Sequence, residues 1–245
     1  MLKKVALITG AATGIGKAVA LGLAQHGLHI VLNYSRSEAE ALATAEEIQA
    51  MGASCLVHKA DVADDRQVRQ MLQAAVAHFG RLDYVVNSAG VTDFVDCNDL
   101  EGLKEEYWDR ALGVNVKGPF FVCRAAAPLL KETRGSIVNI TSIAGITGKG
   151  SSIAYAASKA AAISVTKSLA HALAPEVRVN SVAPGIVMTR WVEGKEDHVE
   201  RLGKGTPLGR VCNAGDVAEV VIPLLLSSSM VTGQTLVVDG GTIMK

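Results

Sequence analysis

The sequence lacks any excess of charge of one sign. Its 24 Lys and Arg residues are matched by 24 Asp and Glu, so the formal net charge is zero. Bulk attraction to nucleic acid or to an anionic membrane surface is therefore not expected, because such binders carry a basic excess. Long apolar runs are also missing. None approaches the ~18 residues of a membrane-spanning helix. Met1-Leu2-Lys3-Lys4 ahead of Val5-Ala6-Leu7-Ile8 looks like the start of a signal peptide. Thr9-Gly10 ends that run at once and no cleavage-like stretch follows, so it reads as a first core strand. Cysteines are few and scattered, at 55, 97, 123 and 212, with no metal-ligand spacing. They predict free thiols and a reducing, cytoplasmic setting. His26, His29, His58, His78, His171 and His198 form no His-x-x-x-His or His-Glu-x-x-His pattern, so no metal site is expected. Low-complexity tracts, repeats and linkers are absent too. With 49% apolar residues, the chain is predicted to fold rather than to remain disordered.

What is present is a regular alternation. Short β-branched runs at Val5–Thr9, Ile30–Tyr34, Ser54–Lys59, Tyr84–Asn87, Ser136–Thr141, Arg178–Ala183 and Thr235–Val238 predict strands. Several are almost continuously apolar, as strands covered on both faces must be. Helical patterns separate them at Gly16–His26, Glu38–Met51, Asp64–Phe79, Val114–Lys131, Ile153–Ala174 and Ala214–Ser227. Such alternation implies right-handed crossovers and one doubly wound, seven-stranded parallel sheet with helices on both faces. The whole chain, 1–245, is expected to form one domain. The glycine-rich stretch 188–209, with a charged, helix-like middle at 193–201, is expected to be a mobile lid over a site.

The first strand runs into Thr9-Gly10-Ala11-Ala12-Thr13-Gly14-Ile15-Gly16, and a helix follows. Gly10 permits a tight turn, Gly14 lets backbone approach a pyrophosphate, and Gly16 allows the helix to pack closely on the strand. The helix start offers free N–H groups and a partial positive charge to phosphate. The strand–turn–helix context turns a glycine triplet into a dinucleotide signature. The spacing, Gly-x3-Gly-x-Gly after Thr9, resembles that of the short-chain dehydrogenase/reductase family, and the resemblance extends over essentially the whole chain. It implies a single-domain Rossmann fold, with Thr13 and Ile15 also at the cofactor.

The end of the second strand decides between the two nicotinamide dinucleotides. An NAD site places an acid there for the ribose 2′-hydroxyl, and an NADP site needs a cation for the 2′-phosphate. Here Asn33-Tyr34-Ser35-Arg36-Ser37 carries no acid before Glu38. Arg36 can fork onto a phosphate while Ser35 and Ser37 donate hydroxyls, which predicts NADP(H). Family members that use NADP often carry a base just before the second glycine, where this chain has Thr13. The resemblance further implies that Asp61 and Val62 hold the adenine. Asn87-Ser88-Ala89-Gly90, with Ser88 in place of a second Asn, would lie along the cofactor through Asn87, Ala89 and Gly90. Pro184-Gly185 and Val187 would meet the carboxamide end, and Thr189 the carboxamide or a phosphate.

Tyr155-Ala156-Ala157-Ser158-Lys159 puts Tyr and Lys on one helical face, 13 residues after Ser142 at a strand end. With Asn115 these resemble the family's Asn-Ser-Tyr-Lys tetrad. Carbonyl reduction needs a hydride on carbon and a proton on oxygen. A free phenol, with pKa about 10, is poorly matched to neutral pH. At ~4 Å and an effective dielectric constant of ~20, an ammonium would favour the phenolate by roughly 4 kcal/mol before desolvation. Lys159 is thus expected to lower the Tyr155 pKa and to hold the nicotinamide ribose. Tyr155 would be the general acid/base, Ser142 would stabilise the alkoxide, and Asn115 would hold a proton relay through Lys159.

The C-terminal Val231-Thr232-Gly233-Gln234 and Val237-Val238-Asp239-Gly240-Gly241 resemble the β-ketoacyl-carrier-protein reductase-like branch. That branch implies an acyl carrier protein docked by basic residues beside the cleft. Here the corresponding stretch, His171-Ala172-Leu173-Ala174-Pro175-Glu176, lacks an Arg, and Arg134 supplies at most part of a patch. The favoured reading is a general NADPH-dependent reductase of a small carbonyl substrate. A 3-oxoacyl-carrier-protein reductase is the alternative, and a non-catalytic NADP sensor is disfavoured by the presence of Tyr155 and Lys159. The family also implies a homotetramer built through the two long helices and the C-terminal segment.

Overall fold

A computed structural model of the protein describes residues 3–190, 199 and 203–244. Strand β1 (Val5–Thr9) is buried along its whole length. Its alternate residues serve two cores, Ala6 and Ile8 on one face and Val5 and Leu7 on the other. This is why the run is apolar without a break. Parallel to it lie β2 (His29–Tyr34), β3 (Cys55–Lys59), β4 (Tyr84–Asn87), β5 (Ser136–Ile140), β6 (Arg178–Pro184) and β9 (Thr235–Val238). They form one seven-stranded sheet in the order β3-β2-β1-β4-β5-β6-β9. Two short strands, β7 (Val187–Met188) and β8 (Cys212–Asn213), make a separate two-stranded ribbon.

Helices cover both faces. Those on the Ala6 face are α1 (Gly14–Gln25), α2 (Glu38–Ala50) and α8 (Ala214–Leu226). Opposite them pack α3 (Asp65–Phe79), α5 (Gly118–Thr133) and α7 (Ile153–Leu173). Local chemistry sets their ends. The Asp64 carboxylate accepts from the N–H groups of Arg66 and Gln67 to start α3, and Gly80, at φ +72°, ends it. Asn213 and Asp216 form a reciprocal capping box at the start of α8. Ser152 accepts from the Tyr155 N–H and so sets where α7 begins.

The doubly wound parallel sheet is as expected, while several boundaries differ. Helix α1 begins at Gly14 rather than Gly16. The helix expected at Val114–Lys131 is the end of a longer run. It starts with α4 (Glu105–Leu112), passes through a π-helical turn at Gly113–Lys117 and continues into α5. Helix α4 sets Tyr107, Trp108, Ala111 and Leu112 on one face, but that face is only about two turns long and buries only Ala111 fully. Packing against α7 holds it in place. A four-residue helix, α6 (Ala144–Thr147), was also not expected. Of the expected lid, Trp191, His198 and most of 193–201 lie outside the described residues.

The winding direction reverses between β1 and β4, which are neighbours in the sheet although β2 and β3 intervene in sequence. At such a switch point the loops beyond the strand ends diverge and leave a crevice. Gly16 fixes how closely α1 approaches that point. A Cβ there would lie 2.4 Å from the Gly10 carbonyl oxygen. Gly16→Ala is therefore expected to cost about 1–3 kcal/mol, as overpacking does. Thermal unfolding followed by circular dichroism should show a lower Tm; an unchanged Tm would mean that the turn tolerates the methyl group.

Candidate active site

The crevice is drawn together by Thr9. Its hydroxyl accepts from the N–H groups of Ser88 and Ala89, both at 3.1 Å, and so ties the end of β1 to the turn after β4. Gly10 follows with φ +61°, and a Cβ on it would sit 2.8 Å from the Ala89 Cα. Gly14, at φ +57°, faces Thr189 from the opposite wall, with the Thr189 methyl 3.4 Å from where its Cβ would be. Asn33 braces the turn from below. Its amide oxygen accepts from the Gly10 N–H at 3.3 Å, and its amide nitrogen donates to the carbonyls of Tyr34, His58 and Ala60.

Above these residues opens a cleft of about 1380 Å³. It exceeds the ~300–1,000 Å³ of ordinary ligand pockets, which leaves room for a dinucleotide and a substrate. One end is lined by Ser35, Arg36, Ser37, Asp61 and Val62. Thr13, Gly14 and Ile15 line the middle, opposite Ala89 and Gly90. Pro184, Gly185, Val187 and Thr189 form the far wall beside Ser142, Tyr155 and Lys159. Ser142 follows β5, and its hydroxyl accepts from the Ala144 N–H at 3.1 Å as α6 begins. Gly145 lets α6 lie against α7, since a Cβ there would fall 2.5 Å from the Lys159 carbonyl carbon. This contact brings Ser142 within hydrogen-bonding reach of Tyr155. The Lys159 ammonium nitrogen lies 5.7 Å from the centre of the Tyr155 ring and donates to the Ile140 carbonyl at 2.9 Å.

A family model described as enoyl-(acyl carrier protein) reductase matches residues 10–242. The chain belongs to the short-chain dehydrogenase/reductase family. It is 40% identical, over 97% of its length and 95% of the relative's, to a protein of Streptomyces violaceoruber named as ketoacyl reductase 2 of the granaticin polyketide synthase. A Staphylococcus aureus protein named 3-oxoacyl-[acyl-carrier-protein] reductase is 38% identical over 99% of both chains. A crystal structure assigned to a short-chain dehydrogenase/reductase from Burkholderia xenovorans superposes with a TM-score of 0.94 at 34% identity, over 98% of both chains. This short-chain dehydrogenase/reductase thus has the Rossmann fold, lies in the β-ketoacyl reductase-like branch and is an NAD(P)-dependent oxidoreductase.

The electrostatics of the reductase differ from the expectation that Lys159 lowers the Tyr155 pKa. Burial pushes the Tyr155 phenol up to about 12, and the hydrogen bond with Ser142 only partly offsets it. Burial also holds the Lys159 ammonium down to about 8. In both groups the leading cause is the loss of water around the charged form. The phenol therefore keeps its proton throughout the neutral range.

Three expected contacts stand behind the cleft wall. Gly16 packs on the Gly10 carbonyl, as its helix-packing role requires. Asn87 turns into the sheet, where its amide nitrogen donates to Asn139 Oδ1 at 2.8 Å. Asn115 lies in the π-helical turn. Its oxygen accepts from the Val91 N–H, and its nitrogen donates to the Val91 carbonyl and to Ser158 Oγ. Ser158 in turn donates to the Tyr155 carbonyl at 2.7 Å. Asn115 thus braces the turn after β4 against the Tyr155 backbone. Ser158, three residues after Tyr155 on α7, lies one turn on and reaches back to its carbonyl. Asn115 could not be paired with it from sequence, because the contact spans 43 residues.

At the other end of the cleft, Thr92 and Phe94 face Ser151 and Ile186, and Thr92 and Ser151 share a hydrogen bond between their hydroxyls. Among the described residues, no cluster of His, Cys, Asp or Glu could hold a metal, and no helix is long and apolar enough to cross a membrane. Removing the Asn115 side chain strands the Val91 N–H and carbonyl, at about 1–3 kcal/mol for each unsatisfied group. Asn115→Ala should lower Tm as well as turnover, measured by calorimetry alongside steady-state kinetics. A pure relay role would reduce turnover and leave Tm in place.

Proposed function

We propose that the protein is an NADPH-dependent ketoreductase acting on small 3-oxoacyl thioesters and related ketones. The observation that carries this reading is that one cleft joins a glycine turn suited to pyrophosphate with Ser142, Tyr155 and Lys159. The residues present suit a dinucleotide. A side chain at Gly10 would close the crevice, and Arg36 with Ser35 and Ser37 can receive a 2′-phosphate. When bound, the reduced nicotinamide supplies the hydride that ends on the carbonyl carbon. Ser142 donates to the carbonyl oxygen and stabilises its growing negative charge. Tyr155 Oη gives that oxygen its proton and is left as a phenolate, which the Lys159 ammonium steadies. A phenol held near 12 is always loaded for this direction. Tetrameric assembly belongs to the same reading. Phe120, on α5 with its ring beside the Arg124 guanidinium, is part of the surface it would cover.

The names of the relatives favour 3-oxoacyl groups. A docked carrier protein is less supported by this chain's own surface. Arg134 is exposed, but residues 171–176 present His171 and Glu176 where a basic patch would help. The carrier-bound substrate is therefore the second reading. We expect kcat/KM for a 3-oxoacyl group on coenzyme A and on a carrier protein to agree within about tenfold, or 1.4 kcal/mol. A carrier advantage of about a hundredfold would favour the second reading.

Tyr155→Phe is expected to lose about 10²–10⁴ in kcat for ketone reduction, the usual contribution of general acid–base catalysis. The wild-type pH profile follows from Lys159, whose charge is present below about 8 and lost above it. kcat for reduction should be level at lower pH and fall as pH rises through about 8. Lys159→Met should lack that break. A break near 8 retained in the variant would assign it to another group.

A further inference from the structure

We propose that Arg190 is the second cation of the 2′-phosphate site, delivered from the opposite wall of the cleft. This rests on the NADPH reading and deepens it. The position just before the second glycine, where a base would help, holds Thr13. The segment after β7 compensates. Thr189 lies against Gly14 of the phosphate turn, and Arg190 continues across the cleft to the start of α2. There its Nη1 donates to Ser37 Oγ at 2.8 Å. Arg36, Ser37 and Arg190 line the same end of the cleft. The Arg190 guanidinium thus reaches, from the facing wall, the serine that follows Arg36 and is expected to meet the phosphate.

The present partners of Arg190 leave it available. Its nearest acid is Glu40 at 3.9 Å, with both side chains 52% exposed. Such a long, solvated ion pair is worth about 0–1 kcal/mol, and a phosphate carrying nearly two charges competes with it readily. The guanidinium has five N–H donors in a planar fork, so it can keep Ser37 and still present others to a phosphate. Glu40 holds the cation near the site without neutralising it. A residue serving only to tie the segment to α2 would act on every dinucleotide alike. A cation for the 2′-phosphate acts only on those that carry it.

Calorimetric titration of the full chain separates these roles without relying on turnover. The ligands are NADPH, NADH, adenosine 2′,5′-bisphosphate and AMP. The proteins are wild type, Arg36→Ala, Arg190→Gln and Arg190→Lys. Arg190→Gln should weaken NADPH and the bisphosphate about ten- to a hundredfold, the range for one charge-assisted hydrogen-bonded contact. NADH and AMP should change less than about twofold, and Arg190→Lys should recover part of the loss. Arg36→Ala should show the same selectivity. Equal weakening of NADPH and NADH in Arg190→Gln would make Arg190 a pyrophosphate contact or a structural tie and overturn the proposal. So would unchanged NADPH binding in that variant while Arg36→Ala loses its preference. Equal wild-type affinity for the bisphosphate and AMP would instead overturn the NADPH reading on which the proposal rests.

Discussion

The approach of Gly10 to Ala89 is the constraint on which the site depends. A Cβ at position 10 would stand 2.8 Å from the Ala89 Cα, so backbone rather than side chain fills the switch point of the sheet. Thr9 holds the two strand ends at this spacing by accepting two N–H bonds from the far turn. Asn33 holds the glycine turn to β2 and β3. With these contacts made, the crevice has one position, and everything that lines it is placed relative to Gly10. The missing side chains at 10 and 14 and the small one at 89 leave backbone N–H groups open to any phosphate that enters.

Partial burial of the ionisable groups at the other end of the cleft has a chemical consequence. Burial disfavours the charged form of every ionisable group, so it raises a phenol and lowers an ammonium. The shifts at Tyr155 and Lys159 have these signs. A neutral phenol is what a proton donor must be, and in the proposed reduction the pair begins in its comfortable state. Oxidation would have to begin from a phenolate at the same site. In the proposed reduction Ser142 is the group that already offsets part of the cost of forming the phenolate.

How much of this was legible in the sequence depended on whether the signal was local. The strands were, because a run such as Val5–Ile8, apolar at every position, suits a strand buried on both faces and is too short for a buried helix. The phosphate turn and the Tyr–Lys pair were, because each is complete within eight residues or fewer. Helix α4 was not, since its apolar face, Tyr107, Trp108, Ala111 and Leu112, lies on a helix of only eight residues that rests on α7. The bracing role of Asn115 was hidden because its partners, Val91 and Ser158, lie far away in sequence. The bracing role of Asn33 does carry a local signal: a polar residue inside an otherwise apolar strand needs buried partners. The Tyr155 pKa went the other way for a related reason. Coulomb attraction can be written from spacing alone, but the desolvation that leads the shift requires the surrounding core.

Net charge and local charge are separate quantities here. A chain with formal charge zero gathers no counter-ion at a distance, yet it can set two guanidinium groups against one phosphate if they lie on facing walls. The arrangement also ties recognition to shape. Arg36 belongs to the β2 side of the cleft, whereas Arg190 belongs to the segment that continues from Ile186 and Val187, which line the substrate end. A phosphate gripped by both would hold the second wall against the first. The group that distinguishes the two dinucleotides lies far from the reacting carbon, and binding energy gained there can still order the wall beside that carbon. In the proposed enzyme, cofactor choice and substrate positioning would then draw on the same contact.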